Sequence, residues 1–377
     1  MSALLTKAKE KYISLRGFHT DRKLVVIESD DWGSIRMPSK HTFDELVSLG
    51  DKPQNDAFLR NDCLETEDDL SALYETLCSV KDSNGNPAVI TANFAVANPK
   101  FECIDYENGV YEFEPFFETY NRYYGENAVM EFVKKGISLK CFHPQLHCRE
   151  HMNVARWMRD LKAQKADTIT AFENSMIGIE SSFSESNPFG YMDALNTDCS
   201  KDNELSQIIK DAHRIFRNAF GFASKTFAAS CYVWNKNVEK TLCELGIHYI
   251  QSNVWQNYPV GENDQFRYKR KIHFTGEKNK DGQMYSVRNC TFEPAYLQNP
   301  EESADDCFDE IKKSFAARNP AVICSHRLNY IGSVNPENRD NNLSGLRMLL
   351  ERIMSEYPET EFISSPDLFA AMESESK

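Results

Sequence analysis

Eight short runs rich in apolar and β-branched residues recur along the 377-residue chain, and amphipathic segments separate them. That alternation restricts the fold more than any other feature. The runs are 23–29, 87–96, 137–143, 225–233, 247–252, 284–292, 320–326 and 361–365. Runs this short, apolar on both faces and joined through helices, are the pattern of buried parallel strands in β/α units. Seven or eight of them predict an α/β fold with a closed or nearly closed barrel rather than an open sheet. The helical patterns fall at 203–220, 237–246, 305–318 and 343–357, and at 67–80, where Thr66 is the expected N-cap. Asp69 takes the capping-box position in place of the usual Glu or Gln.

Two stretches break the rhythm. Residues 101–128 are aromatic and acidic, and residues 172–196 read as a long loop. Insertions of this length are functional lids or binding loops, or else a decorated edge or an oligomer contact. No repeat or linker marks a boundary, so residues 1–377 are expected to form one catalytic domain carrying both insertions. The 43 Lys and Arg are outnumbered by 57 Asp and Glu, giving a net charge of −14. That charge argues against nucleic-acid or anionic-membrane partners. The 11 cysteines never occur as Cys-x-x-Cys, and Cys141, Cys231 and Cys324 sit inside apolar runs, as free thiols in a reducing compartment would. No apolar stretch reaches membrane-spanning length and the first residues lack a signal-peptide core, so the expected location is cytoplasmic.

Chemistry-bearing residues gather where the runs end, the rim that carries active sites in β/α barrels. The first run meets Glu28, Ser29, Asp30 and Asp31 without a break. Unpaired acids are costly to bury, so acids at a strand mouth suggest a metal or a proton to be moved. His143 and His147 follow a later run, four apart, and His326 follows another. Two imidazoles and one carboxylate make an open site for zinc or a related divalent ion. His151 repeats the same spacing from His147 and is read as a helix-surface or outer-shell residue. Adjacent residues of a strand face opposite ways. Asp30 and Asp31 therefore divide the work, one on the metal and one taking a proton from its water.

These residues, "ESDDW", "HPQLH" and "VICSH", resemble the motifs of the polysaccharide deacetylase (NodB-homology, carbohydrate esterase) family, from about residue 23 to residue 370. The resemblance implies a distorted (β/α)7 barrel. It implies Asp30 as catalytic base, Asp31, His143 and His147 as metal ligands, and His326 as catalytic acid. The ion is expected to be Zn2+, with Co2+, Mn2+ or Ni2+ as other ions the site suits. The substrate is an acetylated sugar or glycan, losing an N-acetyl or O-acetyl group. The sequence departs from the family in carrying Trp32 for Gly and Pro144 for Ser/Thr. The third motif is reduced to "ASCY" at 229–232, which keeps Tyr232, whose backbone N–H is expected to serve the oxyanion, and lacks the base-orienting arginine. Arg149 or Arg36 is expected to replace it. Asn93, Glu293, Arg327 and Asn329 are expected as substrate or outer-shell contacts. Trp234, Trp255 and Tyr232 stack on a sugar or else belong to the core. Two rival readings stay open. One is a glycoside hydrolase using Asp30 and Glu293 as paired carboxylates, and the other is an inactive carbohydrate-binding homologue.

Overall fold

A computed structural model describes residues 12–179, 189–196, 202–260 and 267–375. Its main sheet is built from β1 (Leu24–Trp32), β2 (Ile90–Ala95), β3 (Phe142–Cys148), β4 (Thr226–Ala228), β5 (Tyr249–Ser252), β6 (Met284–Val287), β7 (Cys290–Thr291), β8 (Ala321–His326) and β9 (Glu361–Phe362). The order across the sheet is β6-β5-β4-β3-β2-β1-β8-β7, with β9 paired to the start of β1. Each of these pairings is parallel. The sheet curls into the expected α/β barrel in a distorted, open form, with β6 and β7 as its two edges. Every residue of β1 is buried, which explains its unbroken apolar start.

Helices cover the outside. Thr66 and Asp69 form the expected capping box on the helix Glu67–Ser79. Apolar residues such as Leu73, Leu77, Ile90, Val133 and Phe142 fill the layer between helices and sheet. Trp32 stands edge-on to Phe142, with ring centroids 4.9 Å apart.

Three strand expectations shift, and each shift bears on function. The run 137–143 straddles an element boundary: the helix Ala128–Ser138 takes its first two residues, and β3 begins only at Phe142. The run 225–233 yields a three-residue strand followed by the tight turn Ser230–Tyr232, in which Cys231 and Tyr232 have φ of 53° and 54°. The run 284–292 breaks at Arg288 and Asn289, and its two halves become opposite edges of the sheet.

Residues 101–128 extend from the chain beyond the C-terminal end of β2. Phe113–Pro115 pairs with Ala97–Pro99, and the helix Phe116–Tyr124 buries Phe116 and Tyr120 against the core. The second insertion is described at 172–179 and 189–196, and the rest of that expectation lies outside the described residues. Among the described residues, no helix is long and apolar enough to cross a membrane.

Candidate active site and metal centre

The end of β1 is distorted. The pairing with β2 shifts register between Ser29 and Trp32, and Asp31 has φ of 76°. A non-glycine residue there costs on the order of 1–3 kcal/mol, strain that persists where the surroundings over-determine it. Gly33 follows with φ of 78°, and a Cβ there would lie 2.6 Å from the Ala95 carbonyl oxygen. The distortion overrides simple strand alternation, so Asp30 and Asp31 both line one cavity of about 380 Å³.

The paired histidines are not the expected ones. His143 is the second residue of β3 and lies beside Phe222, in the field of Asp367 and Lys225. His147 is four residues further along the same extended strand, which places it roughly 13 Å away at about 3.3 Å per residue. Two imidazoles so spaced cannot share an ion. Past Cys148 the strand ends and the chain turns, bringing the His151 ring to 4.8 Å from the His147 ring. The cluster is therefore Asp31, His147 and His151, with His151 in the role expected of His143.

The trio suits a metal. His147 Nδ1 lies 2.8 Å from the Ala228 carbonyl oxygen, so it carries the hydrogen and Nε2 presents a lone pair. That Nε2 is 3.5 Å from Asp31 Oδ1, and His151 Nε2 is 3.2 Å from the same oxygen. Asp31 Oδ1 and His147 Nε2 are both buried without a hydrogen-bond partner. Ligands about 2.0–2.2 Å from a tetrahedral ion stand about 3.4 Å apart, which matches these separations. Asp31 Oδ2 accepts from Arg36 at 3.1 Å. Burial pushes the Asp31 carboxyl up, but the neighbouring imidazoles and Arg36 hold it well below the usual carboxylate range. Burial also pushes His151 down to about 3, so its ring is neutral and able to ligate. Its Nδ1 is buried without a partner.

Asp30 stands in register with His326 on β8. The arginine beside Asp30 is Arg288, from the break between β6 and β7. Its two terminal nitrogens donate to Asp30 Oδ2 and Oδ1, each at 2.7 Å, and Nε donates to Glu28 Oε2 at 2.7 Å. Arg149 instead holds Glu150 and approaches Asp211, and Arg36 holds Asp31, so neither takes the expected place. Asn93 donates to Asp30 Oδ1 at 2.7 Å and is itself clamped by Gln251. Burial would raise the Asp30 carboxyl, yet the Arg288 guanidinium together with His147 and His326 holds it below the usual carboxylate range.

His326 Nδ1 lies 2.5 Å from Glu293 Oε1, and Asn329 donates to Glu293 Oε2 at 2.7 Å. Burial would lower the imidazole, but the Glu293 carboxylate raises it well above its ordinary value. Arg327, expected on the rim, is fully buried and holds Asp62, Glu65 and the Ser34 carbonyl. The Tyr232 backbone N–H donates to the Ala229 carbonyl within its turn, so it is not the expected oxyanion donor. Its hydroxyl accepts from Arg288 at 2.9 Å. Trp234 is core, donating to Glu239, while Trp255 is half-buried on a hairpin under Arg270. Ile177, Gly178, Phe189 and Met192 from the second insertion close one wall of the cavity, whereas residues 101–128 line neither this cavity nor its neighbour.

His151 and Arg288 were missed by sequence reasoning. Arg288 did carry a signal, as a charged residue in the middle of the apolar run 284–292. Arg288 and its neighbours hold the Asp30 carboxyl down, so Asp30 is not the raised, protonated acid that paired-carboxylate glycoside hydrolysis needs.

No protein-family model matches the sequence, and no curated protein matches it in sequence. Solved structures of similar shape include a protein of Mycobacterium smegmatis described as a polysaccharide deacetylase, at 10% identity, covering 95% of this chain and 93% of that one, with a TM-score of 0.44. A CE4 family pseudoenzyme from Bacillus anthracis shares 10% identity over 93% of this chain and 66% of that one, TM-score 0.39. PuuE allantoinase shares 10% identity over 93% and 90%, TM-score 0.42.

Proposed function

We propose that this chain is a metal-dependent hydrolase that removes an acetyl group from a sugar or a sugar-bearing precursor. The observation that carries the reading is the pair of buried, unpartnered lone pairs on Asp31 Oδ1 and His147 Nε2, flanked by Asp30 in its pairing with Arg288 and His326 in its pairing with Glu293. Asp31, His147 and His151 would hold the ion, with zinc favoured by the donor set. A bound divalent ion supplies Lewis acidity to the acyl carbonyl and lowers the pKa of a water.

The remaining work belongs to the chain. Asp30 accepts the proton of the attacking water. A carboxylate offers about four acceptor sites, and Arg288 and Asn93 take up three, leaving one on Oδ2. His326 gives its proton to the departing amine or alkoxide, and Glu293 orients the ring and keeps it charged. Base and acid are thus in their working forms at the same pH, because opposite charges beside them push their pKa values apart.

Two measurements bear on this. Acetate release, screened across acetylated glycans, nucleotide sugars and lipid-linked sugars, should appear with at least one substrate and vanish on chelation. A metal-loaded protein that releases acetate from none of these classes overturns the reading. The second concerns pH. His326 is raised in the folded protein, so activity is lost as pH climbs through its pKa. Glu293→Gln removes the charge that raises it and leaves the burial that lowers it, so the alkaline limb should move down by roughly 1–3 units. An unmoved limb would assign the proton donor elsewhere.

A further inference from the structure

The far side of His326 opens on a second cavity, of about 850 Å³, along the seam between the two sheet edges. Glu293, Cys324 and His326 all line it, and His326, Tyr232 and Tyr296 also line the first. Donor atoms of these three side chains lie within 4.8 Å of one another. Cys324 Sγ is 4.0 Å from Glu293 Oε1, and that oxygen is 2.5 Å from His326 Nδ1. Cys324 and His326 are i and i+2 on β8, so their side chains leave the same face of the strand. Glu293 reaches them from the loop after β7.

We propose that Glu293, Cys324 and His326 form a second metal site, selective for zinc-like ions and entered through the second cavity. A thiolate, an imidazole and a carboxylate are the donor set for zinc or cobalt and a poor one for magnesium or calcium. Three protein ligands leave a position open toward the cavity. Binding displaces the thiol proton and the imidazole proton to solvent, and the ion takes their place. The nearby cation, Arg288, stands 3.5 Å from Cys324 Sγ. Its guanidinium is already held by Glu28 and Asp30. The consequence, which rests on the reaction proposed above, is inhibition by excess metal. An ion on His326 removes the proton that the leaving group requires. The site itself does not depend on that reaction.

The two sites differ in sulfur, which makes them separable by cobalt titration of the metal-free protein. The first equivalent should fill Asp31, His147 and His151 without a sulfur-to-cobalt charge-transfer band. The second should bring that band, and Cys324→Ser should bind one equivalent and lack it. Cys231→Ser and Cys148→Ser, near the first site, should keep it. Zinc should compete for the second equivalent and magnesium should not. A wild type that stops at one sulfur-free equivalent, or a band that survives Cys324→Ser, overturns the second site. His151→Gln should remove only the sulfur-free equivalent. If wild type shows the band but no sulfur-free equivalent, the second site stands and the proposed hydrolase falls.

Discussion

Replacing His151 with glutamine should strip the protein of its sulfur-free metal equivalent, while His143→Ala should leave that metal in place. His151 Nε2 is 3.2 Å from the shared Asp31 oxygen, whereas His143 sits at the other end of β3 beside Phe222. Loss of an outer-shell group costs roughly 10–100-fold in metal affinity, and loss of one of three direct protein ligands should exceed that. Glutamine preserves most of the volume at a buried position, and circular dichroism would show whether the fold is kept. Metal analysis after gel filtration decides the matter. Retention in His151→Gln together with loss in His143→Ala would restore the "HPQLH" assignment and remove the centre described above.

The second large effect should come from Asp30→Asn, with activity falling by about 10²–10⁴-fold while bound metal stays stoichiometric. The carboxamide cannot accept the water's proton, and it also presents a donor where Arg288 donates. Part of the pairing survives, because Arg288 Nε still meets Glu28. Breaking a buried ion pair typically costs about 3–5 kcal/mol, so a lowered melting temperature should accompany the loss. Activity must therefore be read well below the transition. Near-normal turnover with metal bound would exclude Asp30 as the base. Loss of metal together with activity would show that Asp30, not Asp31 alone, holds the ion.

Much of this was legible in the chain itself. The alternation of apolar runs with amphipathic helices set the parallel α/β barrel, since a strand buried on both faces has no other composition open to it. The acids after Ile27, His326 after its run and the capping box at Thr66 were all readable, because each depends on neighbours within a few residues. Asn93 and Asn329 were expected near the site, and the structure places them on Asp30 and Glu293.

What local sequence could not decide were facts that depend on where strands stop and on partners far along the chain. The His-x-x-x-His spacing occurs twice in succession, and which copy closes on an ion depends on the chain being extended from His143 to His147 and turned from His147 to His151. At about 3.3 Å per residue, extended backbone separates what a turn brings together. Arg288 reaches Asp30 across 258 positions, a pairing that exists only because the sheet curls and its last strands return beside the first. The shared orientation of Asp30 and Asp31 needed a bulge and a left-handed residue held in place by packing. Residue identity determined which groups were available for chemistry, and the tertiary fold decided which of them meet.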